Sequence, residues 1–153
     1  MSVEVNKVHV LRVLDEAFGQ GDLAVIDETV AVGGRDHQHP GEPNFAEHLK
    51  QVVVAMRAAF PDVRFAVTEV IGERDWVACH SIMTGTNLGD IRPPLAPAGR
   101  VIAATGRAVR VPHMHMIRME NGQSAELLHL MDTMAMLGQL GVLPAPVPES
   151  AGR

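Results

Sequence analysis

Apolar positions recur at helical spacing through the first third of the chain and at alternating spacing after it. Val3, Val10, Leu11, Leu14, Ala17 and Phe18 fall on one face of a helix over residues 3–18. Gly19-Gln20-Gly21-Asp22 breaks that run, and Asp22 is placed to cap a second, short helix reaching about Val30. Residues 31–43 read as a polar loop. Asn44 then caps a third helix over residues 45–60, which stops before Pro61. From residue 63 the period changes to two. Val63, Phe65, Val67 and Ile71 alternate with polar neighbours, residues 72–75 turn, and residues 76–86 form the next strand. Residues 87–99 are rich in Gly and Pro and read as loop, with a short strand expected over 101–104. A long strand over 107–119, the hairpin signal Asn121-Gly122, a return strand over 124–131 and a helix over 133–140 complete the pattern. Residues 1–143 make one domain, and residues 144–153 read as a flexible tail.

Three helices followed by mostly antiparallel strands predict an α+β domain, with the N-terminal helices packed on one face of a curved sheet and a short C-terminal helix. The 153 residues suffice for a single core. A formal net charge of −5 without a basic cluster argues against nucleic acid as a partner. The single cysteine, Cys79, rules out an internal disulfide and suits a reducing, cytoplasmic setting. No apolar run has the length of a membrane span, so no membrane partner is expected. The chain has no Tyr, which excludes phenol-based acid catalysis; nine Met supply adaptable apolar surface instead.

Chemistry concentrates in the final hairpin. A two-residue turn at Asn121-Gly122 sets Glu120 opposite Gln123, and therefore Ile117 opposite Glu126, His115 opposite Leu128, His113 opposite Leu130 and Val111 opposite Asp132. In that register His113, His115, Glu126 and Asp132 share one face, and Met114, Met116, Leu127, His129 and Met131 share the other. A carboxylate beside imidazoles in an apolar cavity is suited to general acid–base work near neutral pH. The Met-rich opposite face would be a homodimer interface. Each residue also has a plainer reading. Asp132 can be the N-cap of the last helix, His113 and His115 can be core histidines, and Glu126 can pair with an arginine. Asp36 and Asp62 look like turn residues, His37 and His39 like solvated loop residues. His-x-His occurs at His37/His39 and His113/His115, a spacing that can present two ligands to one metal. With no cysteine pair in support, no metal is expected. No Gly-rich nucleotide loop and no Gly-x-Ser-x-Gly elbow is present.

Ala59-Phe60-Pro61-Asp62-Val63, Gly85-Thr86-Asn87-Leu88-Gly89, Thr105-Gly106-Arg107, Ile117-Arg118-Met119-Glu120-Asn121-Gly122-Gln123 and Asp132 followed by Gln139-Leu140-Gly141 occur in an order that resembles the SnoaL-like polyketide cyclases and related ester cyclases. The resemblance runs over roughly residues 8–144. It implies a cone-shaped, nuclear-transport-factor-2-like fold, usually dimeric, and a cofactor-free, metal-free enzyme. The implied reaction is intramolecular aldol closure of a hydrophobic polyketide-like substrate, as in antibiotic biosynthesis. The implied acid–base is Asp132, assisted by His115 or His113, with His37 in the loop after the second helix. Trp76, Ile117, Leu128 and Leu130 are the expected apolar substrate contacts. Epoxide opening, hydroxylation or isomerisation in the same pocket, or non-catalytic binding of a small molecule, are the alternatives. Residues 90–104 are long enough to form a lid.

Overall fold

The computed structural model describes residues 1–96 and 99–143, so the expectation of a loose tail falls outside it. Helix α1 (Val3–Arg12) starts where the Ser2 side chain accepts the Val5 N–H, and it continues as a π-helical stretch over Val13–Gln20. It stops at Gly21, whose φ of 82° belongs to the left-handed region that glycine occupies without strain. Helix α2 (Ala24–Thr29) is short. Helix α3 (Phe45–Ala59) begins as predicted at Asn44, whose side chain accepts from the Glu47 N–H.

Five strands form one sheet in the order β1-β5-β4-β3-β2, where β1 is Val30–Asp36, β2 Arg64–Glu73, β3 Trp76–Thr86, β4 Ala108–Glu120 and β5 Gln123–Met131. All neighbours are antiparallel except β1 and β5, which run parallel. Helix α4 (Thr133–Leu140) closes the described chain. The α+β plan with helices on a mostly antiparallel sheet therefore stands. The polar loop expected over 31–43 instead begins with an edge strand. Gly33-Gly34 hides the strand from periodicity, yet a Cβ at Gly34 would lie 2.6 Å from the Ala125 carbonyl and from the Phe45 ring, so only glycine lets β1 approach there. The short strand expected over 101–104 reduces to one bridge between Ile91 and Ile102.

The hairpin at Asn121 (φ 51°) and Gly122 (φ 81°) forms as a two-residue turn, and Glu120 faces Gln123. One step further the ladder changes. Met119 faces Ser124, but Arg118 faces Glu126, so β5 carries one extra residue at Ala125. Beyond this bulge the register is Ile117 to Leu127, His115 to His129 and His113 to Met131. The predicted pairing is thus displaced by one residue, and every β5 side chain past Ala125 exchanges faces.

The inner sheet face packs against α1, its π-helical extension and α3. Val77, Cys79, Met83, Val111 and Ile117 from the sheet meet Leu14, Phe45, Leu49 and Val53 from the helices. On the outer face Met114, Met116 and Leu130 are exposed. Among the described residues no helix is long and apolar enough to cross a membrane.

After β3, fully buried Asn87 ties residues 89 and 105 of the connection to β4 together. Its Nδ2 donates to the Gly89 carbonyl at 2.8 Å, and its Oδ1 accepts the Thr105 N–H at 2.8 Å and the Thr105 hydroxyl at 3.0 Å. Truncating that side chain removes these bonds and leaves the part-buried Thr105 N–H without its acceptor. Asn87→Ala is therefore expected to lower unfolding stability by about 2–4 kcal/mol, read in urea as a lower midpoint with an unchanged slope.

Candidate functional site

A cavity of about 300 Å³ opens between the helices and the inner sheet face, at the lower end of the range for small-molecule sites. Its lining is mostly apolar, with Leu14, Phe18, Leu49, Met56, Phe65 and Ile117 as large contributors, and Pro94 and Leu95 reach it from the loop between β3 and β4. The polar exceptions carry the chemistry. Four imidazoles, His39, His113, His115 and His129, line the same space.

Strand parity explains three of them. His113 and His115 are two residues apart on β4, and the bulge turns His129 of β5 inward opposite His115. Their rings form a row: His113 to His115 at 5.6 Å and His115 to His129 at 6.1 Å between centroids, each pair inclined by 23°. The Phe65 ring meets His113 edge-on at 5.2 Å. Both ring nitrogens of His113, and Nδ1 of His115, are buried without a hydrogen-bond partner. Burial, reinforced by charge on His129, pushes His113 down to about 4. Burial, with His113 and His129 beside it, pushes His115 down to about 3. Both imidazoles are neutral at pH 7, each keeping one N–H to donate.

The fourth imidazole is held by a carboxylate. Asp36, at the end of β1, is only 4% exposed. Its Oδ1 accepts the Gln38 N–H at 2.9 Å, while its Oδ2 accepts from His39 Nδ1 at 3.0 Å. His48 Nε2 and His129 Nε2 lie 3.4 Å and 3.7 Å from that same Oδ2. Burial alone would raise the Asp36 pKa, but His129, His39 and the Gln38 N–H together hold it well below the usual carboxylate range. The chain folds this way locally because the Gln38 and His39 N–H groups both return to Asp36, forming a tight turn, and because Gln38 Oε1 accepts the His129 N–H at 3.1 Å. That last bond ties the turn to β5.

The residues singled out in the sequence are distributed differently. His113, His115 and Ile117 face the cavity as expected. Asp132 does not line it: the residue is exposed, and its Oδ1 accepts the Ala135 N–H at 2.9 Å as the cap of α4. Leu128 and Leu130 point to the outer face, with Leu130 73% exposed, because the bulge reverses their parity. Trp76 also belongs to the outer face, opposite Arg118, since the inward positions of β3 are the odd-numbered residues from Val77. His37 lies outside the cavity lining and bonds Glu126 Oε2 at 2.9 Å. Glu126 is an ion-pair residue, as its plainer reading held. His37, Arg118 and Arg35 surround it and push its pKa down to about 2. Asp36, His39 and His129, which the sequence reads as turn, solvated loop and outer-face residues, are the ones that meet here, together with His48, which carries no reading in the sequence. The signal for the first two was Asp36-x-x-His39 beside an edge strand; for His129 no local signal exists, because a single inserted residue decides its face.

Comparison with known proteins bears on what this site does. The family model described as SnoaL-like polyketide cyclase matches residues 8–140. No curated protein sequence matches the chain. Among solved structures, TsrD from Streptomyces laurentii superposes with a TM-score of 0.81 at 20% identity, covering 94% of this chain and 99% of that one. IdmH from Streptomyces antibioticus gives 0.70 at 27% identity, covering 90% and 99%. A SnoaL-like protein from Jannaschia gives 0.75 at 24% identity, covering 92% and 94%.

The neutral, sealed His113 has a consequence for stability. Its folded pKa lies below the unfolded value of about 6.5, so the unfolded chain takes up the proton first. The stabilisation is complete above pH 6.5 and is lost as pH falls toward 4, by up to about 3 kcal/mol. Thermal melts between pH 7 and pH 4 are expected to show this decline, and His113→Gln, which cannot titrate, is expected to make it shallower, leaving the part that His115 contributes in the same direction.

Proposed function

Because the chain belongs to the SnoaL-like polyketide cyclase family, we propose that it closes a ring by intramolecular aldol chemistry in a hydrophobic, polyketide-like substrate, with His39 as the base and Asp36 as the group that orients it. The observation that carries this reading is the pair formed by buried Asp36 and half-buried His39, with His39 lining an apolar, imidazole-lined cavity. An Nδ1–H donated to a carboxylate fixes one tautomer of His39 and leaves the Nε2 lone pair free, while the carboxylate stabilises the imidazolium that forms on protonation.

The reaction then proceeds without change of oxidation state. His39 Nε2 takes a proton from a carbon next to a carbonyl. The enolate carbon attacks a second carbonyl of the same molecule, forming the new carbon–carbon bond, and the resulting alkoxide recovers the proton from His39. Negative charge develops first on the enolate oxygen and then on the alkoxide. His115, neutral through burial, donates a hydrogen bond to that oxygen, in a medium where such a donor counts for more than in water. The apolar walls hold the substrate folded so that its ends meet, which removes much of the entropic barrier.

The test is exchange of the acidic C–H of a β-keto ester substrate for deuterium in heavy water, followed together with ring closure by mass spectrometry. Replacing the base, His39→Ala, is expected to lower both rates by about 10²–10⁴-fold. Asp132→Asn, which keeps a helix cap, is expected to stay within about tenfold of wild type. Full activity in His39→Ala together with loss in Asp132→Asn would reverse the assignment.

The same reading includes a second copy of this chain on the outer sheet face, where Met114, Met116 and Leu130 are exposed. Sedimentation equilibrium is expected to give twice the 16.5 kDa of one chain, and the double variant Met114→Glu/Leu130→Glu to return it to that mass. A wild-type monomer would contradict it.

A further inference from the structure

We propose that Asp36, His39 and His129 form a binding site for one divalent first-row transition-metal ion, with its open coordination positions toward the cavity. Asp36, His39 and His129 each offer one ligand atom, and these atoms lie within 4.8 Å of one another. His39 Nδ1 and His129 Nε2 are 3.0 Å and 3.7 Å from the carboxylate oxygen. These separations bracket the roughly 3.3 Å between neighbouring ligand atoms around an ion held tetrahedrally at bonds of about 2.0–2.1 Å. Two imidazoles and one carboxylate, with further positions left to solvent or substrate, are the donor set of open zinc sites and of two-histidine, one-carboxylate iron sites. His39 and His129 both line the cavity, so an ion between them is reachable from it.

Unpaired groups around the carboxylate point the same way. Three imidazole nitrogens converge on Asp36 Oδ2, and only His39 makes a hydrogen bond to it. His48, with its side chain 1% exposed, aims Nε2 at that oxygen from 3.4 Å and has no hydrogen-bond partner on either ring nitrogen. His129 Nε2 at 3.7 Å either carries a proton or sets a lone pair against a lone pair. A cation between His129, His39 and the oxygen removes that conflict. The Gln38 N–H on Oδ1 and the Gln38 side chain on the His129 backbone hold the carboxylate and the β5 imidazole in place, as supporting bonds do around a metal centre.

The ion would take the place of the His39 Nδ1 proton. Metal occupancy and the acid–base role of the Asp36–His39 pair are therefore alternatives at one location, and the metal site stands or falls without the cyclase reading.

The test uses the full chain after chelator treatment, titrated with Co²⁺ and with Zn²⁺. Calorimetry is expected to show one ion per chain, and Co²⁺ to develop the intense visible bands of low coordination number. His39→Ala and His129→Ala, both at partly exposed positions that tolerate truncation, are each expected to weaken binding at least about tenfold and to change the Co²⁺ spectrum. His115→Ala, beside the cluster but outside it, is expected to bind within about twofold of wild type. Circular dichroism confirms that each variant is folded. No saturable uptake, or identical affinity and spectrum in His39→Ala and His129→Ala, would overturn the site. Deuterium exchange by the chelated protein separates the two readings. Exchange without uptake removes the metal site alone, and uptake without exchange removes the acid–base assignment alone.

Discussion

One extra residue in β5 determines what the cavity contains. Between the pairs Met119–Ser124 and Arg118–Glu126 the fifth strand holds Ala125 without a partner of its own. The period of a strand is two, so a single insertion turns each later side chain to the opposite face. His129 is thereby brought inward beside His115, and Leu128 and Leu130 are sent outward. The bulge also falls where β1 approaches. Gly34 packs against the Ala125 carbonyl, and β1 then runs parallel to β5 as far as Asp36, opposite Leu127. The carboxylate and the imidazole of β5 meet only because both adjustments occur at the same point of the sheet.

The electrostatics follow from that arrangement. A buried carboxylate is costly unless its lone pairs are matched, and Asp36 has the Gln38 N–H on one oxygen and imidazole nitrogens around the other. Further into the cavity the situation is reversed. Among the described residues no carboxylate pairs with His113 or His115, and desolvation, with His129 beside them, keeps them uncharged. The cavity thus contains two kinds of imidazole. His39 is oriented by an anion and suited to accept a proton; His113 and His115 are neutral and suited to donate a hydrogen bond to developing negative charge. Environments that separate the behaviour of like groups are how one pocket assigns distinct acid and base roles.

Much of the fold was legible in the sequence because the signals were local. Asn44 marked the start of α3, Asn121-Gly122 marked the hairpin, and alternation marked β2 and β3. Strand β1 was not legible, since Gly33-Gly34 carries no periodicity and the parallel pairing to β5 is a long-range contact. The site was half legible. The inward placement of His113, His115 and Ile117 followed from the inner strand β4. Asp132 was read as both cap and acid, and the structure shows the cap. Asp36 and His39 were read as turn and solvent residues, correctly as to the turn. The burial of Asp36 and the placement of His39 at the cavity depend on packing that the residues themselves do not announce.

The Asp36–His39 pair can act as proposed in only one tautomer of His39. An imidazole in water favours the form protonated on Nε2; the structure requires the proton on Nδ1, donated to Asp36. Long-range proton–nitrogen correlation spectra of the uniformly ¹⁵N-labelled, metal-free protein at neutral pH resolve which ring nitrogen of each histidine carries hydrogen. The prediction is a neutral His39 protonated on Nδ1, reverting to the Nε2 form in Asp36→Asn. A wild-type His39 with its proton on Nε2, unchanged by that substitution, would contradict the assignment of this pair as the reactive centre.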